Sequence, residues 1–496
     1  MATGDGVVSG LLVAGTTSDA GKSVITTGLC RLLARRGVKV APFKAQNMSN
    51  NSMVVLDRAG RAGEIGRAQW IQALAARAEP EVAMNPVLLK PGGDSTSHLV
   101  LLGRPAGRIG SRDFLGGREE LAQIAFAAFD DLAARHDVVI AEGAGSPTEI
   151  NLRPGDFVNL GLARHADLPV LVVGDIDRGG LYAALFGTVA LLAEADQKLV
   201  AAFLINQFRG DLTLLEPANQ AIARVTGRPV LGVVPWRPEI WLDSEDGLDL
   251  AGRRSQLDDP VRVAVIRLPR VSNFTDVDAL GLEPDVDVSF VSPPRDLTDA
   301  DLVVLPGTRA TLDDLDWLRA RGLERPILAH AQAGRPLLGI CGGCQMLGRR
   351  IADPAGAEGR PGRAAAGLGL LDLSTEFGPD KVLRLHRPGY EIHHGRVSLG
   401  PTAEPWPGGA RNGAVLGTMR HGELESDQAR TDLLALARPG RPASGVSFAA
   451  AREARLELLA DLLERHAEVD RLLDLIDHGP PPDLPVLPPA GTGSAV

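Results

Sequence analysis

The sequence predicts an α/β chain of two domains, each built on a mostly parallel sheet. Three observations carry this. Apolar, β-rich runs alternate with amphipathic stretches from residue 7 onward. Residues 250–260 are polar, lack apolar periodicity, and are followed directly by a second series of apolar runs. Acidic or amide residues recur where the apolar runs end, which is where open parallel sheets place their ligands. At 496 residues the chain is also too long for a single core. The predicted divisions are a first domain over 1–250, a linker over 251–260 and a second domain over 261–477. A Pro- and Gly-rich tail, 478–496, reads as disordered.

Composition excludes some function classes. The formal net charge of -10 disfavours a general nucleic-acid binder. There is no uncharged apolar run of membrane-spanning length and no leader-like start, so no membrane partner is expected. Cys30, Cys341 and Cys344 cannot make a disulfide framework, which fits a reducing cytoplasm.

The first run, 7–14, reads as a buried strand and leads into Gly15-Thr16-Thr17-Ser18-Asp19-Ala20-Gly21-Lys22-Ser23. A helix over 24–36 follows. Strand, Gly-rich turn and helix is the setting a phosphate loop needs. Successive N–H groups cradle phosphate oxygens, Lys22 neutralises charge, and the Ser23 hydroxyl is placed for Mg²⁺. Five residues separate the two glycines where four are usual. A second strand, 38–43, ends at Lys44. The polar run Gln46-Asn47-Met48-Ser49-Asn50-Asn51-Ser52 has neither period and reads as a loop. Residues 64–77 read as a helix, and 85–91 as an extended piece presenting Lys90. The strand 137–141 ends in Glu142, a Mg²⁺ ligand candidate in a sheet that already carries a phosphate loop. Further strands over 169–174, 199–205 and 229–234 complete the first sheet.

The second series opens with strands over 261–268, 286–291 and 301–305, then Pro306-Gly307-Thr308 and a helix over 311–321. Next comes Gly339-Ile340-Cys341-Gly342-Gly343-Cys344-Gln345, between an apolar strand and a helix predicted over 346–351. Small residues around a cysteine at a strand-to-helix turn are the layout of a nucleophile elbow, with the N–H of Gly342 facing an oxyanion. Cys344 is a competing thiol, and a Cys-x-x-Cys redox pair or half zinc site is the other reading. A cysteine nucleophile needs a base. His386, His393, His394 and His421 are the choices, and chemistry alone leaves them open. Residues 452–476 carry a leucine stripe and read as a surface helix or helix pair.

Taken together these motifs resemble the cobyric acid synthase family, glutamine-dependent amidating enzymes of cobalamin biosynthesis. The stretches that carry it are 15–23, 42–51, 142–147, 175–180, 206–211, 268–276, 306–308 and the elbow, in order over about residues 10 to 450. The Gln-Asn-Met-Ser-Asn-Asn run is the most diagnostic.

The resemblance implies a dethiobiotin synthetase-like P-loop domain followed by a class I glutamine amidotransferase domain of flavodoxin-like α/β fold. It implies Cys341 as nucleophile, His421 as base, and an oxyanion hole at Gly342 and Gly307. It implies ATP at Gly15, Thr16, Asp19, Ala20, Gly21, Lys22, Ser23 and Lys44, with Mg²⁺ on Ser23 and Glu142. Gln46, Asn47, Ser49 and Asn50 become a substrate loop. The expected small-molecule partners are glutamine, ATP and a corrinoid, whose cobalt belongs to the substrate. Many class I amidotransferases place a Glu two residues after the His. Glu423 has that spacing here, but this family usually lacks such a residue, so Glu423 stays outside the catalytic set. Two rivals are a sibling such as cobyrinic acid a,c-diamide synthase and a partitioning-type P-loop ATPase. The polar loop argues against the first, and the elbow cysteine against the second.

Overall fold

The computed structural model describes residues 9–92, 96–110, 117–241, 243, 254–255 and 257–490. The start of the first predicted strand, most of 250–256 and residues 491–496 lie outside these. Among the described residues, no helix is long and apolar enough to cross a membrane.

The first domain is built on six parallel strands in the order Val230–Pro235, Val200–Phe208, Val170–Asp175, Gly10–Gly15, Val138–Glu142, Val40–Phe43. Leu11, Leu12 and Val13 are fully buried, as a central parallel strand covered on both faces requires. From the Gly10–Gly15 strand the chain winds first to one side and later to the other. The phosphate loop therefore opens at the topological switch point, flanked by Glu142 and Asp175.

The second sheet runs Val286–Val291, Val261–Ile266, Leu302–Leu305, Leu337–Ile340, Val415–Thr418, and these five are parallel. Gly409–Asn412 and Glu404–Trp406 extend it antiparallel. Cys341 follows its central strand, and His421 follows the neighbour of that strand.

Several expectations are corrected. The polar run is not all loop, because Gln46–Met48 pairs in parallel with the Val87–Pro91 strand, Asn47 opposite Leu88. Backbone pairing there overrides the missing apolar period. The helix expected over 64–77 is Arg67–Ala75, and Glu64 ends up on the Ala62–Gly66 strand. The helix after the elbow is Gly342–Leu347, and the chain has already turned into the Arg350–Asp353 strand where helix was expected to continue.

The larger correction concerns the domain boundary at 477. Helices Phe448–His466 and Val469–His478 pack largely on the first domain, not on the second. Leu456, Leu463 and Leu472 share a buried cluster with Leu11, Val13 and Leu29. Gly28 makes this possible, since a Cβ there would lie 2.8 Å from a Leu463 methyl. The leucine stripe needs an apolar partner, and helix Lys22–Arg35 supplies it. The described part of the tail also docks: Leu484 and Leu487 are buried, and the Gln197 side chain bonds the Leu487 backbone on both sides, at 2.9 and 2.7 Å.

Candidate active sites

Cys341 has φ 52° and ψ -109°, a backbone state that costs an L-residue about 1–3 kcal/mol. The neighbouring glycines allow it. A Cβ at Gly343 would collide with the Leu305 carbonyl, and one at Gly339 would lie 2.8 Å from the Cys344 nitrogen. The Cys341 N–H donates to Thr418 O at 2.7 Å, tying the turn to the neighbouring strand. Gly342 faces the Gly307-Thr308 turn: a Cβ on Gly342 would sit 3.1 Å from the Thr308 nitrogen.

His421 is buried and near enough to Cys341 for the two to influence each other's charge, while the Cys341 thiol lies 4.0 Å from Ile392 O. His421 Nδ1 is 2.7 Å from Asp276 Oδ2, and Asp276 Oδ1 accepts the Gly422 N–H at 2.9 Å. The Tyr390 ring stacks on the imidazole, centroids 5.3 Å apart. Burial opposes a charge on His421, but the Asp276 carboxylate and Cys341 outweigh it and raise its pKa to about 10. The result is a Cys–His–Asp constellation. Sequence reasoning missed Asp276. It lay inside the quoted 268–276 stretch, but 145 residues before the histidine, so no spacing rule could link them. Of the other histidines, His393 and His394 also line the cavity over Cys341, His393 Nδ1 bonding Gly395 O at 2.8 Å, while His386 contacts Glu391 at 3.1 Å. Cys344 is fully buried, its thiol pushed up by burial. Among the described residues no His, Cys, Asp and Glu group could hold a metal by itself.

The cavity over Cys341 is lined by both domains. Asn50 and Lys90 come from the first, and Asn273, Arg309, Glu358 and Lys381 from the second. Glu358 accepts the Thr311 N–H at 2.7 Å and its hydroxyl at 3.0 Å, and burial raises its pKa to about 8. Across the domain seam, Ser52 N–H donates to Asn273 Oδ1 at 2.9 Å, and Phe274 N–H to Asn51 Oδ1 at 3.3 Å. Glu64 is held between Lys381 at 2.5 Å and Lys90 at 3.1 Å.

In the other site, Lys22 Nζ donates to the Thr17 and Ser18 carbonyls at 2.9 Å and to Gly145 O at 3.1 Å. Ser23 Oγ donates to Glu142 Oε1 at 2.8 Å. Lys44 Nζ reaches the same oxygen at 2.8 Å, and Gln72 Nε2 reaches Oε2 at 2.5 Å. Burial raises and Lys44 lowers the Glu142 pKa; its net direction is down, so the carboxylate is ionised. Asp19, Gly21, Lys22 and Ser23 line a large cleft with Asp175, Arg178, Asn206 and Trp236. Gly15, Thr16 and Ala20 lie outside its lining and shape the turn: Thr16 N–H donates to Val173 O at 2.9 Å, and Asn206 Nδ2 donates to Ala20 O at 3.1 Å. Gln46, Asn47 and Ser49 are buried, not displayed.

A P-loop nucleotide site and a Cys–His–Asp elbow on one chain define a two-site enzyme of the amidotransferase class. Residues 11–250 match the CobQ/CobB/MinD/ParA nucleotide binding domain, and 262–429 the CobB/CobQ-like glutamine amidotransferase domain. A cobyric acid synthase from Mycolicibacterium gilvum is 65% identical over 490 residues, covering 97% of this chain and 99% of its own. Those of Mycobacterium ulcerans and Mycobacterium tuberculosis are 64% identical over 488 and 492 residues, with the same coverage. The chain belongs to the cobyric acid synthase family. It is an ATP-using carbon–nitrogen ligase with glutamine as nitrogen donor.

Proposed function

We propose that the chain amidates the b, d, e and g carboxylates of adenosylcobyrinic acid a,c-diamide, giving adenosylcobyric acid. One observation carries the pairing of the two sites: Asn50 and Lys90 of the ligase domain line the cavity of the glutaminase cysteine.

In the second domain, His421 takes the Cys341 proton and the sulfur attacks the glutamine side-chain amide. The N–H groups of Gly342 and the Gly307-Thr308 turn hold the oxyanion. His421 returns its proton to the departing nitrogen, ammonia leaves, and water hydrolyses the thioester to glutamate. Glu358 takes the glutamine α-ammonium, and Arg309 with Lys381 faces its α-carboxylate.

In the first domain, the cleft at Gly21, Lys22 and Ser23 binds ATP. A substrate carboxylate attacks the γ-phosphorus, and ADP leaves an acyl phosphate. Ammonia then displaces phosphate from the acyl carbon to form the amide. Lys22 and Lys44 balance the charge on the transferring group. The oxygens of Ser23 and Glu142, 2.8 Å apart, are a hard donor pair that fits Mg²⁺. Bound there, Mg²⁺ supplies charge neutralisation of the phosphates. Mg²⁺ use and a cytoplasmic setting are part of this proposal.

The test uses the corrin a,c-diamide with ATP. Cys341→Ala should lose glutamine hydrolysis yet amidate with ammonium chloride, and Lys22→Ala should amidate with neither nitrogen source. A wild-type enzyme that gives no ATP- and ammonia-dependent product from the diamide sinks the substrate assignment.

A further inference from the structure

Two lysines from different domains share one buried carboxylate behind the cavity over Cys341. Lys381, on the second-domain strand Leu373–Leu385, lines that cavity together with Lys90 of the first-domain strand Val87–Pro91. Glu64, on the first-domain strand Ala62–Gly66, is fully buried and stands outside the lining. Its Oε1 pairs with Lys381 at 2.5 Å and its Oε2 with Lys90 at 3.1 Å. Lys90 Nζ also donates to Ser52 Oγ at 2.7 Å. Apolar packing fixes the two sides of this seam: Met53 and Val54 of the first domain share a buried cluster with Tyr390 and Ile392 of the second.

Charge at this cavity does not balance. Lys90, Arg309 and Lys381 put three cationic side chains on its lining. Burial opposes ionisation of Glu64, but Lys381 and Lys90 outweigh it and hold its pKa down to about 2. Glu358, the one carboxyl group on the described lining, is raised to about 8 by burial and is mostly protonated at neutral pH. His394 is held down to about 3 by burial and then by Lys381 and Arg309, so it stays neutral. Burial also lowers Lys381 to about 7, and Glu64 works against that fall. Three cations against one ionised carboxylate favour an anionic guest, and glutamine brings one in its α-carboxylate.

We propose that Glu64 of the ligase domain is a positioning residue for glutamine hydrolysis, fixing the Lys381 ammonium where the α-carboxylate of glutamine docks. Glu64 does not reach the guest itself and acts through Lys381. The ligase domain thereby completes the glutamine site of its neighbour. The assignment rests on the glutaminase reading above and adds to it the residue that holds the carboxylate's partner in place.

The experiment measures glutamine saturation curves of the full chain as wild type, Glu64→Gln, Glu64→Asp, Lys381→Met and the double variant Glu64→Gln with Lys381→Met. Glu64→Gln should raise the KM for glutamine about tenfold and leave kcat within about threefold. Glu64→Asp, which keeps the charge one methylene further back, should raise it about threefold. Lys381→Met should raise KM at least tenfold by removing a charged hydrogen bond. The double variant should be no worse than Lys381→Met alone, because the two residues act as one unit. An unchanged KM in Glu64→Gln overturns the assignment, and so does a double variant whose losses multiply. A fall in kcat as large as the rise in KM also overturns it, since disturbed packing then accounts for the loss. If Glu64→Gln does not fold, Glu64→Asp decides, and a KM equal to that of wild type overturns the assignment there. A wild type that does not hydrolyse glutamine refutes the glutaminase reading and not the Glu64 assignment alone.

Discussion

Asp276 holds both the ring and the backbone of the His421 turn, with one oxygen 2.7 Å from Nδ1 and the other accepting the Gly422 N–H at 2.9 Å. Glu423, at the spacing where other class I enzymes keep their orienting acid, turns instead to Arg420 at 3.3 Å. Asp276→Asn should therefore lower glutamine hydrolysis by about 10²–10⁴-fold, as loss of the orienting acid does in comparable triads. Ammonium-driven amidation should persist, and Glu423→Gln should change hydrolysis less than about threefold. A steady-state glutaminase assay on the two variants separates the candidates.

The same contact gives a pH dependence. His421 is raised to about 10, with burial opposing and Asp276 and Cys341 prevailing. A raised histidine stabilises the fold fully below its unfolded pKa of about 6.5, and the gain is lost as pH rises through about 10. Denaturant titrations should show wild type losing stability across that window, and Asp276→Asn losing less. Equal slopes in the two proteins would count against the pairing.

Cys344 lies one helical turn from Cys341, fully buried against Gly417, where a Cβ would sit 2.8 Å from its sulfur. Burial pushes its thiol up, so little thiolate forms. Cys344→Ala should keep glutaminase activity, and one equivalent of a small haloacetamide should label Cys341 and abolish it. Peptide mapping of the labelled protein checks this, and label on Cys344 would contradict it.

Much of the first sheet and of the elbow was legible because each is a local pattern: an apolar run, then glycines, then a helix. The Gly-x-Cys-x-Gly turn is written within five residues. What escaped is what depends on distant pairings. Asp276 meets His421 from 145 residues away. The Gln46–Met48 strand exists through its partner Val87–Pro91 and not through any alternation of its own. The leucines of 452–476 advertise a buried face without saying which domain buries it, and Gly28, the residue that admits them, looks like any helical glycine.

Glu358 is raised to about 8 by burial, against the opposing pull of Arg309 and the two Thr311 donors. An ammonium guest would add a second cation beside Arg309 and favour the ionised carboxylate. Glu358→Gln should raise the KM for glutamine about 10–100-fold, the worth of one charged hydrogen bond, with a smaller effect on kcat. In wild type the KM should climb as pH falls below about 8, where Glu358 takes up its proton, and in the variant it should be flat. A pH series of glutamine saturation curves decides it.

The return of the chain to the first domain predicts where stability resides. Leu463 is 1% exposed, and a Cβ on Gly28 would lie 2.8 Å from its methyl and 3.0 Å from the Leu459 carbonyl. Around this contact, Arg31 of the first domain is buried and bonds Glu453 at 2.7 Å. Leu463→Ala should cost about 2–5 kcal/mol, the range for a leucine cut back in a close-packed core. Gly28→Ala should destabilise as well, because helix backbone at Leu459 cannot yield as a side chain would. Both losses should fall on the nucleotide domain: in a urea series, ammonium-driven amidation should fail at lower denaturant than glutamine hydrolysis. Removing residues 448–496 should damage the ligase more than the glutaminase, although Phe448 also packs into the second core. If the deletion instead left ammonium-driven amidation intact, the two terminal helices would be ornament on the first domain rather than part of its core.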